Sequence, residues 1–393
     1  MKRIDFYKTL RIGMLLPLLL LSTVSGCQDK QASTPQVDQP EVSEPKPEKD
    51  IRVSFLAVGD NLIHGAIYLD PYHKNAEGYD FRSVYDPIKP YLKGIDIKNI
   101  NQETVLGGVE LGLSHYPQFN GPQEIGEAVA DCGFNWISQA SNHAMDAGEA
   151  AIQNQLKLWD RYPNITATGM NRNQAEADKL RIIEVKGLKF GLLNYTYGLN
   201  GLSTPAGKDY MVNLIDDDKI KSDIAKLKPH CDVILASMHW GNEYVYEEND
   251  EQRRLAQLLA DEGVSVIIGS HPHVLEPVTY ITAKDQRKVL VYYSLGNFLS
   301  AQDSGDTMLG GMAKWEIVKD GKTKEIRIEN AELYPTVTHY NKSIQDFKVY
   351  TLKDYTDKLA SKHYLSHEIS RQFFIDLTNQ IMKQPKDIKI IYE

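Results

Sequence analysis

Cysteine is scarce, with three in 393 residues: Cys27, Cys132 and Cys231. So few exclude a fold stapled by disulfides. Cys132 and Cys231 read as small buried thiols, with pairing outside the cytoplasm as the alternative. Positive charge is also short: 44 Lys and Arg against 53 Asp and Glu give a formal net charge of −9. That balance argues against nucleic acid as a partner. No self-similar period of the solenoid or propeller kind is present. The apolar run near the start, Ile12 to Leu21, is shorter than the roughly 20 residues a membrane-spanning helix needs.

Lys2, Arg3, Lys8 and Arg11 precede that run as a positive n-region and make it look like a signal peptide. Val24-Ser25-Gly26-Cys27 follows and resembles a bacterial lipobox. The resemblance implies a signal peptide over residues 1–26, cleavage before Cys27, and lipid on the Cys27 thiol. The alternative is an ordinary membrane anchor. Both readings place the body outside the cytoplasm, held at the cell membrane. Residues 27–50 carry four prolines and only Ala32, Val37 and Val42 as apolar side chains after Cys27. Such a segment cannot bury enough surface to offset its ordering entropy and reads as an extended, disordered tether.

From residue 51 onward, strands alternate with helices. Val53 to Val58 is an apolar strand stopping at Gly59-Asp60, and Ile95 to Ile100 a second. Between them Ser83 to Leu92 reads as helical, interrupted by Pro87 and Pro90. Further strands are expected at 135–139, 165–168, 232–237, 264–268, 289–294 and 313–328, with helices at 122–131, 147–159, 216–227 and 250–262. Leu180 to Tyr197 reads as a hairpin turning at Lys186-Gly187. The tail from Lys348 reads as mostly helical, with a β-prone end at Ile388 to Tyr392. The pattern predicts an α/β fold with two packed sheets and helices outside.

Chemistry-bearing residues recur just after apolar strands, where α/β sheets gather ligands. Asp60, Asn61 and His64 follow the first strand; Asn101, Gln102 and Glu103 follow the second; Asn142, His143 and Asp146 follow the third. His239 and Glu243 follow the strand at Val233, His271 and His273 the one at Val266, and Asn297 the one at Val291. Any one alone reads as a turn former, a helix cap or a structural histidine. Together they form a mixed oxygen and imidazole set suited to borderline divalent metals. In an extended segment His271 and His273 point the same way, and Pro272 between them stiffens it. His143 suits a general acid near neutral pH. Asp146 reads equally as its orienter or as a turn residue. Glu243 reads as a supporting partner or a solvated loop carboxylate, and Trp240 as a substrate shelf or as packing.

Gly59-Asp60-Asn61-Leu62-Ile63-His64, Asn101-Gln102-Glu103, Ser141 to Gly148, His239-Trp240-Gly241, Gly269 to Val274 and Ser294 to Phe298 resemble the motif series of the CapA family of poly-γ-glutamate capsule biosynthesis proteins. That family is similar to calcineurin-like metallophosphoesterases. The resemblance implies a four-layer α/β/β/α sandwich over residues 51–335, with residues 336–393 as an extension packed on it. It implies two divalent metal ions, manganese, iron or zinc. Asp60 and His273 would hold the first, Asn142, His239 and His271 the second, and Glu103 would bridge them. His143 would be the general acid, and His64 an extra ligand or substrate contact. Asn61, Asn101 and Glu243 are further candidates for metal or substrate contact.

Two positions depart from the superfamily pattern. Leu62 stands where a metal-binding histidine is usual, and Glu103 where the bridging carboxylate is usually Asp. Three functions follow from the resemblance. One is a surface protein of capsule biosynthesis with a hydrolytic metal site, working beside a capsule synthase. Another is an accessory protein that tethers an anionic capsule polymer without catalysis. The third is a hydrolase directed at a cell-wall polymer.

Overall fold

The computed structural model describes residues 49–76, 78–383 and 387–393. The expected signal peptide, Cys27 and nearly all of the tether lie outside the described residues. Of the elements that frame the two sheets, the first in chain order are strands β1 (Ile51–Asn61) and β2 (Ile97–Asn101), helix α1 (Glu124–Asp131), strand β3 (Trp136–Ser138) and helix α2 (Gly148–Asp160). Strands β4 (Thr166–Thr168), β5 (Ile182–Val185) and β6 (Leu188–Thr196) follow, then helix α3 (Asp217–Leu227), strand β7 (Val233–His239) and helix α4 (Asp250–Glu262). Next come strands β8 (Val264–Ser270), β9 (Val278–Thr282), β10 (Lys288–Tyr292), β11 (Asn297–Leu299), β12 (Leu309–Lys319), β13 (Ile326–His339) and β14 (Lys348–Thr351). Helix α5 (Arg371–Met382) and the short strand β15 (Lys389–Ile390) complete the chain. Among the described residues no helix is long and apolar enough to cross a membrane.

A nine-stranded sheet runs β14-β13-β12-β1-β2-β3-β4, with β11 beside β1 and β15 beside β13. A six-stranded sheet runs β9-β10-β8-β7-β6-β5. Strands β1 to β4 are mutually parallel, as are β6, β7, β8 and β10. Interior parallel strands are covered on both faces, which is why they read as continuous apolar runs. Every residue of β7 is buried. The sheets pack face to face. The Phe55 ring on β1 meets Phe190 on β6 edge-on at 5.0 Å and stacks on Trp315 of β12 at 5.3 Å. Burying each such ring contributes about 1.5–3 kcal/mol.

Helices complete the four layers. On α4 the spacing of Leu255, Ala256, Leu259 and Ala260 makes one apolar stripe, buried with Ile234 and Ile267 of the six-stranded sheet. Asn249 and Gln252 fix where α4 starts by exchanging side-chain-to-backbone hydrogen bonds of 2.8 and 2.9 Å. Gly263, at φ 114°, ends it. Val84, Ile88, Ile125, Val129 and Leu158 pack with the nine-stranded sheet. The segment with Pro87 and Pro90 is a 3₁₀ turn over Arg82–Ile88 followed by one α turn over Lys89–Leu92. Proline removes the amide an uninterrupted α-helix needs.

The hairpin turn forms where expected, with Lys186 and Gly187 both at positive φ. The tail differs from its sequence reading at Lys348. It opens as strand β14, paired antiparallel with the end of β13, before turning helical. Cys132 and Cys231 are both unpaired.

Two close approaches shape the sheets' working ends. Asp60 N–H donates to Gly296 O at 2.9 Å, and a Cβ on Gly59 would lie 1.9 Å from that same oxygen. Only glycine permits this contact. Asn194 at the end of β6 reaches toward the nine-stranded sheet, where its Oδ1 accepts the Gln139 and Ala140 amides at 2.8 and 2.7 Å. The loop carrying Asn142 and His143 is thereby fixed against the second sheet.

Candidate metal centre

The C-terminal ends of the parallel strands bring their polar residues to one place. Asp60, Glu103 and His273 form one group of adjacent ligand atoms, and Glu103, His239 and His271 a second, with atoms in each group lying within 4.8 Å of one another. Glu103 is common to both. Its Oε1 lies 3.8 Å from His239 Nε2 and 3.7 Å from His273 Nε2. Asn142 Oδ1 lies 2.8 Å from His239 Nε2 and adds a neutral oxygen to the second group. His273 Nδ1 lies 3.1 Å from Asp60 Oδ2 and 3.2 Å from Asn297 Oδ1.

The polar atoms here fit divalent cations. Glu103 is wholly buried, yet neither of its carboxylate oxygens has a hydrogen-bond partner, and His271 Nδ1 also lacks one. A buried carboxylate left this way is strongly disfavoured unless a cation faces it. Burial pushes the Glu103 carboxyl well above its ordinary range, and the nearby Asp60 and Glu243 push the same way against the opposing pull of His273. Burial draws His239 well below its ordinary value and, with His273 and His143, takes His271 down to about 3. Both are therefore neutral imidazoles, the form that binds metal. Burial also pulls on His273, but Glu103 and Asp60 reverse that and carry it up to about 9. The pocket draws positive charge.

Surrounding residues orient the set. Asn101 Nδ2 donates to Asp60 Oδ1 at 2.8 Å, so Asn101 steadies a candidate ligand. Ser270 Oγ lies 3.1 Å from His239 Nδ1 and leaves Nε2 facing Glu103. His271 and His273 are not in extended backbone, as expected from sequence. They sit at φ 100° and 60°, left-handed conformations that cost a non-glycine residue about 1–3 kcal/mol. This tight turn, rather than strand alternation, brings both rings to the cluster.

The family model described as bacterial capsule synthesis protein PGA_cap matches residues 54–302, which include every residue named in this cluster. The chain belongs to that family. The PGA biosynthesis protein CapA of Bacillus subtilis (strain 168) is 30% identical over 201 residues, 51% of this chain, and the chain spans 51% of that relative's length. The capsule biosynthesis protein CapA of Bacillus anthracis is 24% identical over 321 residues, 79% of this chain and 73% of the relative. Among solved structures, the NAD nucleotidase (NadN) of Haemophilus influenzae aligns with 88% of this chain and 58% of its own at 14% identity and a TM-score of 0.46. A 5'-nucleotidase precursor from Thermus thermophilus aligns with 84% and 59% at 13% identity and a TM-score of 0.42.

In this PGA_cap chain His143 and Asp146 come together beside the cluster. His143 Nδ1 donates to Asp146 Oδ2 at 2.6 Å, and the Phe119 amide donates to the same oxygen at 2.7 Å. Asp146 is thus the orienting partner rather than a free turn residue. Three other sequence candidates sit differently. Asn61 is in none of the ligand groups. Its amide is instead engaged at both ends, donating to Gln102 Oε1 at 2.8 Å and accepting the Tyr85 hydroxyl at 2.9 Å. His64 is in none of the ligand groups. Its Nδ1 accepts the Ala301 amide at 3.3 Å, and its ring packs edge-on to Phe119, which packs edge-on to His143. Trp240 is buried with Nε1 donating to Tyr293 O at 2.9 Å, so it is packing and not a shelf. Glu243 is exposed, yet its carboxylate falls beside His271 and His273.

Sequence reasoning missed Tyr197, Tyr244 and Asn200. The Tyr197 ring is 4.6 Å from His271, and Tyr244 is 6.0 Å from His273. Asn200 Oδ1 accepts Asn142 Nδ2 at 3.2 Å. Tyr197 and Asn200 follow the C-terminal end of β6, so the strand-end rule would have found them had β6 been read as a parallel strand. A cavity of about 840 Å³, lined by Asp232, Tyr280, Arg287 and Arg327 among others, contains none of these residues.

Proposed function

We propose that this chain is an extracytoplasmic protein of capsule polymer synthesis, held at the membrane through lipid on Cys27, with a two-cation hydrolytic site. The observation that carries the reading is the buried Glu103 carboxylate without hydrogen bonds, shared by Asp60 and His273 on one side and by His239 and His271 on the other. Those residues, with Asn142, would hold the cations. When bound, the cations supply Lewis-acid polarisation of a substrate oxygen at neutral pH. The names of the CapA relatives support a capsule polymer as the substrate's context, and we take an anionic poly-γ-glutamate-type chain as the partner.

The chain's own residues supply the proton. With Nδ1–H engaged by Asp146, His143 keeps Nε2 for proton exchange with a leaving group. Asp146 is itself fixed by the Phe119 amide, so the imidazole plane is set before substrate arrives. Tyr197 is half exposed with its ring 4.6 Å from that of His271, where it can contact a bound substrate.

Leu62 favours a second reading. It is buried and apolar, 2% exposed, at the position where the superfamily resemblance expects a ligand. That departure supports a binding role without turnover. One experiment separates the readings. The metal-loaded chain should cleave a generic phosphodiester or a γ-glutamyl polymer, and His143→Ala and His271→Ala should abolish cleavage. Full loading without turnover on either would favour the accessory role.

A further inference from the structure

The shared carboxylate at the floor of the cluster has a counterpart at its mouth. Glu103 joins a group with Asp60 and His273 to a group with His239 and His271. The exposed Glu243 forms a third group with His271 and His273, one histidine from each of the other two, with all ligand atoms within 4.8 Å. We propose that Glu243 is a second carboxylate ligand of the metal centre, closing it from the solvent side as Glu103 does from the buried side. The proposal rests on the metal-centre reading and adds a residue to it.

Donor count favours this. With Asn142 Oδ1, the second group offers four protein ligands, while the first has only Asp60, Glu103 and His273. Leu62, two residues after Asp60 and buried, adds none. Divalent metals of this class take four or more donors. Glu243 is the further carboxylate grouped with His273.

The backbone holds it there. On one side Trp240 N–H donates to Ser270 O at 3.1 Å, and on the other Tyr244 N–H donates to Pro272 O at 2.8 Å. Both contacts fasten the Glu243 loop to the His271-Pro272-His273 turn. Tyr244 has φ 64°, and Gly241 φ 93° with room for a Cβ only 3.0 Å from Pro272 Cγ. Two positive-φ residues thus bend the chain around Glu243. The next acids of the loop are engaged elsewhere, Glu247 by Lys383 at 2.8 Å and Glu248 by Arg253 at 3.3 Å. Being exposed, Glu243 is also the ligand that an incoming carboxylate or phosphate oxygen would displace.

Titration of Mn²⁺ into the full chain, followed by calorimetry and by the resonance of free Mn²⁺, tests this without any turnover assay. Glu243→Gln should weaken one Mn²⁺ at least about tenfold, in the range that loss of a metal-supporting group produces. Glu243→Asp should recover part of the affinity, and Glu247→Gln should stay within about twofold of the unaltered chain, a spread too small for a lost ligand. Circular dichroism melts confirm that each variant is folded. If Glu243→Gln binds as the unaltered chain does while His271→Ala loses an ion, the proposal is overturned and the centre stands. If the unaltered chain binds no Mn²⁺, both fall.

Discussion

Glu103 Oε1 lies 3.7 Å from His273 Nε2, and neither oxygen of that wholly buried carboxylate has a hydrogen bond. The pair sits where two sheets bring their strand ends together, and it sets the terms for the cluster. Removing the negative charge should ease the metal-free fold while weakening the site. Glu103→Gln is expected to melt at or above the unaltered chain after chelation, yet gain less than the unaltered chain when Mn²⁺ is restored. The unaltered chain should gain about 2.7 kcal/mol for each ion bound at a free metal concentration a hundred times that ion's dissociation constant. Paired thermal melts with and without chelator measure both.

In the proposed mechanism Asp146 acts through His143, 2.6 Å away. Asp146→Asn should leave metal content unchanged and lower turnover by about 10²–10⁴, as loss of an oriented general acid does. His143→Ala should lower it at least as far, and the double variant no further than His143→Ala alone. Steady-state kinetics on a phosphodiester, with metal analysis of the same samples, check this.

Glu276 gives the fold a pH dependence separate from the candidate metal ligands. It is buried, one carboxylate oxygen accepts Gln252 Nε2 at 2.6 Å, and the other has no partner. Burial raises its carboxyl from 4.5 to about 8, although Gln252 opposes this. The folded state therefore binds the proton more tightly than the unfolded state. The contribution is full below about pH 4.5 and is lost as pH rises through about 8. Glu276→Gln should remove that decline, worth on the order of a few kcal/mol across the window. Denaturant midpoints from pH 5 to 9 read it.

Phe55 ties the sheets together through Phe190 and Trp315. Phe55→Ala should cost about 3–5 kcal/mol. Urea unfolding, with an unchanged slope, would show the loss to be one of packing.

The proposed anchoring has a direct check. Replacing Cys27 by Ser should release the protein from the membrane fraction. Retention there would favour an uncleaved N-terminal anchor over lipid.

Much of this was legible in the sequence because parallel strands buried on both faces are continuous apolar runs, and polar side chains just beyond them stand out. Asp60, Glu103, Asn142 and His239 stood out that way, and the structure brings them together. The turn at His271 to His273 was misread because positive φ at histidine has no sequence signal of the kind glycine or asparagine provides. Tyr197 and Asn200 were overlooked because a hairpin reading of Leu180 to Tyr197 hid the parallel pairing of β6 with β7. Strand β14 is only four residues long, too short to register a period, and it forms because the end of β13 offers a partner. Asn61 misled because residue type alone does not say which partners its side chain takes.

The central claim is that two divalent cations belong between Glu103 and the three histidines. Elemental analysis of the purified chain after reconstitution with Mn²⁺, Fe²⁺ or Zn²⁺ tests it most directly. The account predicts about two ions per chain, as a two-metal site requires, falling to one or none in Glu103→Ala. A chain that retains no ion with any of the three metals, or one that retains two with Glu103 removed, would contradict it.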